Sequence, residues 1–253
     1  MHLILTGATG LIGSIVLAIM LDDPAVERIS IISRKPVPQA DGHAKAEVII
    51  QEDLAKYDLA TLEKLKGAHG CVWALGPPLM SVTRDQYEYA HIELPAIAAK
   101  TYSTLSDQFN FVYVSHDGID EPGSRRMAAY DVKFRAEEKL LKLSEETSSL
   151  RFFSVRPALI DYSYHTAVHP YIKYPLPLPK KISNWFLIPV FRFFGSVNVT
   201  RSEHLGTVLT ELAYGDGADL TVEGASHGGR YIGVVGMANY MKDKWAKEGA
   251  GAQ

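Results

Sequence analysis

The stretch His2-Leu3-Ile4-Leu5-Thr6-Gly7-Ala8-Thr9-Gly10-Leu11-Ile12-Gly13 decides the fold of this chain. The apolar run at residues 3–5 predicts a buried strand, and apolar residues at helical spacing across residues 11–21 predict a helix. Glycines at positions 7, 10 and 13 lie between and at the start of these two elements. Because strand, glycine-rich turn and helix follow one another directly, the stretch predicts the first βα unit of an α/β protein.

The same turn has the glycine spacing of a dinucleotide-binding site. Gly7 would allow a tight turn, Gly10 would let the backbone approach a pyrophosphate, and Gly13 would let the helix pack closely on the strand. Free N–H groups and the helix dipole would then hold the phosphates. The alternative is a plain glycine-rich turn without a ligand. The candidate cofactor-binding residues of this turn are Gly7, Thr9, Gly10, Leu11, Ile12 and Gly13.

The composition is that of an ordinary globular protein. Of 253 residues, 47% are hydrophobic and 22% are charged, and a net charge of −3 gives no reason to expect a nucleic-acid partner. The single cysteine, Cys71, excludes an internal disulfide and fits a reducing compartment. A strand beginning at residue 2 leaves no room for a targeting peptide, and no apolar stretch reaches transmembrane length. We therefore expect one cytoplasmic domain, residues 1–253.

The end of the second predicted strand indicates which cofactor the site prefers. NAD sites place an acidic residue about 20 positions beyond the glycines, where it binds the ribose hydroxyls. Here that position holds Ser33, followed by Arg34 and Lys35. A hydroxyl and two cations suit a 2′-phosphate, so the sequence predicts NADP rather than NAD. The alternative is that the two cations are solvated loop charges.

Two further loops are expected to line the cofactor. Asp53, followed by Leu54, comes after a third strand at residues 46–50, where its carboxylate would either bond the adenine amine or cap a helix starting near residue 54. A fourth strand at residues 71–75 ends in a turn that would line the middle of the cofactor. The candidate residues of that turn are Ala74, Leu75 and Gly76.

The candidate catalytic residues follow the fifth strand. Ser115 stands at the carboxyl end of residues 109–115, with His116 next, and ligands of open parallel sheets bind at that edge. The helix predicted at residues 126–143 carries Tyr130 and Lys133 near its start. His116 could act as an acid or base near neutral pH, or could be a loop histidine without a role.

The helix predicted at residues 83–102 contains Pro95, which predicts a kink or break. His91 in the same helix is expected to be a packed or surface histidine. A sixth strand, residues 150–155, ends in Arg156-Pro157.

Residues 161–195 differ from the rest of the chain in composition. They are rich in proline and aromatic residues, which is typical of a lid or binding loop over an apolar or aromatic substrate. A dimer interface and a contact with a membrane surface are the alternatives. We therefore divide the chain into a dinucleotide-binding core, residues 1–160, and a substrate lid with a small C-terminal region, residues 161–253.

The TGATGLIG turn at residues 6–13 is followed in order by Ser33-Arg34, Asp53-Leu54, Ser115 and Arg156-Pro157. With these residues the chain resembles the short-chain dehydrogenase/reductase superfamily, in particular its atypical TGATGxxG branch of fungal reductase-like and NAD(P)H-sensor-like proteins. The resemblance implies a doubly wound, seven-stranded parallel α/β sheet of the Rossmann type, a cofactor contact at Pro157, and a Ser-Tyr-Lys catalytic set. Ser115 matches the serine and Lys133 the lysine, which in the family also binds the nicotinamide ribose.

The tyrosine departs from the family pattern. The family places it four residues before the lysine, where this chain has Ala129, and Tyr130 is three before. On a regular helix this one-residue offset rotates the side chain by about 100° and shifts it by about 1.5 Å. Because proton transfer needs heavy atoms within about 3 Å, a regular helix would misplace the phenol, and a late helix start or a π-bulge would restore it.

The leading hypothesis from the sequence is an NADP-dependent oxidoreductase acting on a carbonyl or C=C bond of a hydrophobic small molecule. The alternatives are a non-redox isomerase, cyclase or dehydratase on the same fold, and a non-catalytic NADPH-responsive regulatory protein. The sequence contains no metal-binding motif. A homodimer through the helices at residues 83–102 and 126–143 is expected from the resemblance.

Overall fold

The computed structural model describes residues 1–172 and 199–251. Most strands of these residues form one sheet. Its strands are β1 (His2–Thr6), β2 (Arg28–Ser33), β3 (Ala46–Ile50), β4 (Gly70–Trp73), β5 (Phe109–Val114), β6 (Leu150–Val155), β9 (Ala225–Ser226) and β10 (Tyr231–Ile232). They lie in the order β3-β2-β1-β4-β5-β6-β10-β9. A separate parallel pair joins β7 (Leu159–Asp161) to β8 (Val199–Arg201).

Helices cover both faces of the sheet. They are α1 (Leu11–Asp22), α2 (Leu59–Leu65), α3 (Arg84–Glu88), α4 (Leu94–Tyr102), α5 (Ala128–Glu146), α6 (Ser202–Tyr214) and α7 (Val234–Gly251). Alternate residues of β1 point to opposite faces: Leu3 packs in one core cluster with Leu209 of α6, and Ile4 in the other with Leu140 of α5. The predicted doubly wound α/β fold is therefore confirmed.

The sheet differs from the expectation in one strand. Seven strands run parallel, as the resemblance implies, but the two-residue strand β9 pairs antiparallel with β10 and makes an eighth. The sequence analysis also missed β7 and β8. Strands of two or three residues are too short to show a periodic apolar pattern, so the sequence carries no signal for them.

The helical stretch around Pro95 shows the predicted break. A five-residue π-turn, Tyr89–Glu93, links α3 to α4, and Pro95 lies at the start of α4. Proline lacks an N–H and its ring clashes with the preceding turn, and the wider π-turn provides space for it.

The loop after β3 contradicts one expectation. The helix predicted to start near residue 54 starts at Leu59, and its N-cap is Asp58, whose side chain accepts a hydrogen bond from the N–H of Thr61. Asp53 does not cap this helix. Its carboxylate accepts a hydrogen bond from the N–H of Ala55 at 3.0 Å.

The lid expectation concerns residues 161–195, and residues 173–198 lie outside the described residues. The described beginning of this segment packs on the dinucleotide-type helix: Val168 is buried against Ile15 and Ala18 of α1. No helix within residues 1–172 and 199–251 combines the length and apolar character needed to cross a membrane.

A buried ion pair ties α5 to the end of β6. Glu137 and Arg156 are 1% and 7% exposed, and the guanidinium donates to both carboxylate oxygens, at 2.9 and 2.6 Å. Ser154 donates a third hydrogen bond to Glu137, and Asp120 pairs with Arg156 from the loop after β5. Burial opposes the charge of Arg156, but the bonds to the two carboxylates outweigh it and raise the pKa of this residue. The pair fixes α5 against the sheet.

We expect Glu137→Gln to lower the free energy of unfolding by about 3 kcal/mol, because removing one partner leaves a buried guanidinium incompletely paired. Urea titration followed by circular dichroism measures the loss. Glu138→Gln is the matched control, since Glu138 is exposed and should change stability by less than about 0.5 kcal/mol. Equal effects of the two substitutions would contradict the structural role of the pair.

We also expect stability to fall on acidification because of His2. Burial, with the nearby charge of Arg28, lowers the pKa of His2 from 6.5 to about 4. The unfolded chain therefore takes up a proton at His2 below pH 6.5 that the folded protein refuses until about pH 4, so His2 alone lowers stability by at most about 1.4 kcal/mol per pH unit in that window. In urea titrations at several pH values, His2→Gln should flatten this slope. His43→Gln, at an exposed histidine, should leave it unchanged.

Candidate functional site

The glycine turn lies between β1 and α1 at the carboxyl edge of the sheet. Gly7 adopts a φ of +74°, and a Cβ at this position would lie 2.4 Å from the carbonyl oxygen of Ala74. A Cβ on Gly13 would lie 2.0 Å from the carbonyl oxygen of Gly7. Only glycine fits these two positions, since side chains are disfavoured at positive φ and the backbones touch directly. The turn is thus pressed between α1 and the end of β4.

The N-terminus of α1 suits an anion. Gly10 is the N-cap and has no side chain to cap the helix, and the first turn contains no acidic residue. The first N–H groups of the helix, at Leu11, Ile12 and Gly13, therefore lack a side-chain acceptor. The helix dipole adds partial positive charge at the same place. The turn accordingly fits the pyrophosphate of a dinucleotide.

The residues expected to choose between cofactors lie at the end of β2, next to β1. Ser33 is buried, and its hydroxyl donates to the carbonyl oxygen of Lys35 at 2.7 Å. Arg34 and Lys35 are exposed, and neither forms an ion pair with any residue of the described ranges. Two unpaired cations at this edge fit a phosphate. After β3, Asp53 is exposed and Leu54 is buried.

Ser115 presents an unsatisfied hydroxyl at the carboxyl end of β5. Ser115 is 6% exposed, and its Oγ has no hydrogen-bond partner within residues 1–172 and 199–251. Buried polar atoms are normally paired, so an unpaired hydroxyl at a strand end is typical of a ligand-binding position. The backbone N–H of Asp117 donates to the carbonyl oxygen of Pro157, which joins the loops after β5 and β6.

Lys133 reaches from α5 to the same strand. Its Nζ donates to the carbonyl oxygen of Val114 at 2.8 Å and lies 4.5 Å from the centre of the Tyr113 ring. Burial lowers the pKa of Lys133 to about 7, although the charge of Glu137 acts in the opposite direction. Both protonation states of this amine are therefore accessible near neutral pH.

The ring of Tyr130 contacts the ring of His116. α5 begins at Ala128, two residues later than predicted, and contains no π-turn. The N–H of Tyr130 donates to the carbonyl oxygen of Met127, so Tyr130 lies in the first turn of this helix. The rings of Tyr130 and His116 lie 4.7 Å apart, at an angle of 38°. The Nδ1 of His116 lies 2.6 Å from the carbonyl oxygen of Asp117, which can only accept, so Nδ1 carries the hydrogen and Nε2 is the basic nitrogen.

The sequence left open whether His91 is packed or at the surface, and the structure shows that it is buried. His91 is 4% exposed within the π-turn, and its Nε2 lies 3.2 Å from the carbonyl oxygen of Pro77. Burial, reinforced by the charge of Lys133, lowers the pKa of His91 to about 3. Its ring packs beside Gly76, in the loop that was expected to line the cofactor.

A cavity of about 260 Å³ lies beside the ends of β5, β6 and β10. It is lined by Asp117, Arg156, Gly224, Ser226, Gly233, Val234 and Val235. A larger cavity, of about 420 Å³, includes Gly215, whose carbonyl oxygen bonds the side chain of Asn110 near the amino end of β5. We place the candidate site at the carboxyl edge of the sheet, because parallel sheets bind ligands at the carboxyl ends of their strands. The smaller cavity borders this edge through Asp117, which follows His116, and through Arg156.

Sequence reasoning missed His91 and the Glu137–Arg156 pair. Neither has a local motif: Glu137 looks like any acidic residue of a charged helix, and its partner is 19 residues away. The only signal near His91 was Pro95, which predicted an irregular helix at that place. Within the described ranges, no group of three His, Cys, Asp or Glu side chains is arranged to hold a metal ion.

Comparison with known proteins supports the fold and adds a relative. Leucinostatins biosynthesis cluster protein T from Purpureocillium lilacinum is 51% identical over 261 residues, covering 96% of each chain. The PhqB reductase domain from Penicillium fellutanum superposes with a TM-score of 0.61 at 16% identity, over 95% of this chain and 69% of that chain. A short-chain type dehydrogenase/reductase from Mycobacterium ulcerans gives 0.61 at 16% identity, over 85% and 83%.

No protein-family model matches the sequence. The family relationship therefore rests on the relative that matches 96% of this chain, and the fold on the superpositions and the strand order. The chain belongs to the family of Leucinostatins biosynthesis cluster protein T, with the Rossmann fold of the short-chain dehydrogenases/reductases.

Proposed function

We propose that this protein is an NADP-dependent oxidoreductase that reduces or oxidises a carbonyl or C=C bond of a hydrophobic small molecule. The observation that carries the proposal is the buried hydroxyl of Ser115, which has no hydrogen-bond partner among the described residues. It lies at the carboxyl end of β5, where His116 contacts Tyr130 and Lys133 bonds the carbonyl oxygen of Val114. An oxidoreductase role agrees with the reductase and dehydrogenase names of the proteins that share this fold.

The proposed cofactor site runs along the ends of six neighbouring strands, β3, β2, β1, β4, β5 and β6. The N-terminus of α1 would hold the pyrophosphate, and Arg34 and Lys35 would bind the 2′-phosphate beside Ser33. Asp53 and Leu54 would contact the adenine. Ala74, Leu75 and Gly76 would line the middle of the cofactor, and Lys133 and Pro157 its nicotinamide end.

NADP, when bound, would supply or accept the hydride at the reacting carbon of the substrate. Ser115 would donate a hydrogen bond to the substrate oxygen and so stabilise the negative charge that develops there. Tyr130 or the neighbouring His116 would transfer the proton to or from that oxygen. Lys133 would orient the ribose and, when protonated, favour the ionised form of a nearby acid.

The biological setting of the proposal follows the relative. The name of the Purpureocillium lilacinum protein places that protein in a biosynthesis cluster for leucinostatins. We propose that this chain likewise performs a step of a biosynthetic pathway. We also propose that the protein is cytoplasmic and forms a homodimer through the faces of α3–α4 and α5. In this proposal residues 1–160 form the dinucleotide-binding core and residues 161–253 the substrate region.

We expect Arg34→Ala to weaken NADPH binding about tenfold and to leave NADH binding nearly unchanged, because a charge-assisted contact to a phosphate is lost. Fluorescence titration of both nucleotides measures the two affinities. Lys100→Ala, which removes an exposed cation of α4, is the control and should behave as wild type. Loss of NADH and NADPH affinity to the same degree would argue against the phosphate role.

If wild-type protein bound neither nucleotide, the oxidoreductase and NADPH-sensor hypotheses would both fall. Turnover without added nucleotide would then favour an isomerase or cyclase on this fold. Tight NADPH binding without turnover of any hydrophobic aldehyde, ketone or enone would favour the regulatory alternative.

We expect Tyr130→Phe to lower kcat by about 10²–10⁴-fold while NADPH affinity stays unchanged, because the proton donor is lost and the cofactor contacts remain. NADPH consumption with hydrophobic carbonyl compounds measures kcat. Tyr89→Phe is the control at an exposed tyrosine. A normal rate in Tyr130→Phe, together with a comparable loss in His116→Gln, would assign the proton transfer to His116.

A further inference from the structure

His91 is held in place on every side that the structure describes. The π-turn brings its ring inward, the ring of Tyr87 lies 4.2 Å away, and the hydroxyl of Tyr113 donates to its carbonyl oxygen at 3.1 Å. The residue is almost completely buried. A side chain with these neighbours has no room to change rotamer.

The two ring nitrogens of His91 have different surroundings. Nε2 faces the carbonyl oxygen of Pro77 at 3.2 Å, and because a carbonyl only accepts, Nε2 carries the hydrogen and donates. Nδ1 is buried without a partner among the residues that the structure describes. Burial and the charge of Lys133 both disfavour the protonated ring, so His91 is neutral near pH 7.

Gly76 lies directly against this ring. A Cβ on Gly76 would stand 2.0 Å from Cε1 of His91 and 2.8 Å from both ring nitrogens. Atoms cannot approach this closely, and the ring is prevented from withdrawing by Tyr87 and by its bond to Pro77. Gly76 has no positive φ, so no backbone strain demands a glycine there.

The Gly76–Pro77 segment continues from the turn that supports the phosphate-binding loop. A Cβ on Gly7 would touch the carbonyl oxygen of Ala74 at 2.4 Å and the nitrogen of Leu75 at 2.8 Å. A shift of the Gly76–Pro77 segment would therefore be passed to the glycine turn through two residues. His91 thus fixes the Gly76–Pro77 segment, and this segment directly follows the two residues that contact Gly7 of the glycine turn.

We propose that His91 is a positioning residue for cofactor binding, which fixes the Gly76–Pro77 segment through its ring and its Nε2–H, and that residue 76 is a glycine to accommodate this ring. The inference rests on the proposed function, since it assumes that this edge binds NADPH. The competing explanation is that residue 76, which the sequence places beside the middle of the cofactor, is a glycine to leave space for the cofactor itself.

A double-substitution cycle separates the two explanations. We expect Gly76→Ala to weaken NADPH binding about tenfold and to lower the thermal midpoint, because the new methyl group displaces the segment. In the His91→Ala background the same substitution should change NADPH affinity by less than threefold, since the space is then free. An undiminished tenfold loss in that background would overturn the proposal, because the glycine would then be required by the cofactor.

A conservative pair tests the hydrogen bond. His91→Gln keeps an N–H that can donate to Pro77 and should bind NADPH within threefold of wild type, whereas His91→Leu lacks the donor and should bind about tenfold more weakly. Equal affinities of the two variants would overturn the role of Nε2. Circular dichroism shows whether each variant is folded.

The thermal midpoints keep the inference separate from the proposed function. If wild-type protein binds no NADPH, the proposed function fails. The contact itself is then judged from stability alone: Gly76→Ala should lower the thermal midpoint in the wild-type background and not in the His91→Ala background. Equal losses of midpoint in both backgrounds would show that the ring does not determine the glycine.

Discussion

The close backbone packing around Gly7 is the constraint on which the rest of the structure depends. In one direction Gly7 touches Gly13 of α1, and in the other it touches the turn after β4, so three segments meet without an intervening side chain. Dense packing of this kind transmits displacement instead of absorbing it. The end of β1, the N-terminus of α1 and the end of β4 are therefore placed together by one contact, and the anion-binding geometry follows from the fold itself.

The same packing explains why the first βα unit could be predicted from sequence. Gly7 and Gly13 are glycines for reasons that are local: a positive φ in one case and a neighbouring backbone in the other. Local reasons leave a local pattern. The ends of β2 and β5 were located by their apolar runs, so Ser33 and Ser115 could be placed at the carboxyl edge.

Other features of the site depend on contacts between distant parts of the chain, and the sequence shows no sign of them. Asp53 and Asp58 are both plausible helix caps, and only the course of the loop decides that Asp58 is the one used. The contact of Gly76 with His91 spans 15 residues and needs a π-turn to form. The contact between the rings of Tyr130 and His116 likewise depends on how α5 lies over the end of β5, which helical spacing cannot reveal.

The electrostatics of α5 connect the buried ion pair to the candidate site. Lys133 and Glu137 are one helical turn apart, so the carboxylate favours the charged form of the lysine and raises its pKa, but by less than burial lowers it. Arg156 takes both oxygens of Glu137, and burial then determines the outcome, leaving the pKa of Lys133 at about 7. An amine in this condition responds strongly to a nearby negative charge, because stabilising its charged form requires little additional energy. Any anion bound at the sheet edge would therefore promote protonation of Lys133, and by linkage the protonated lysine would favour the bound anion.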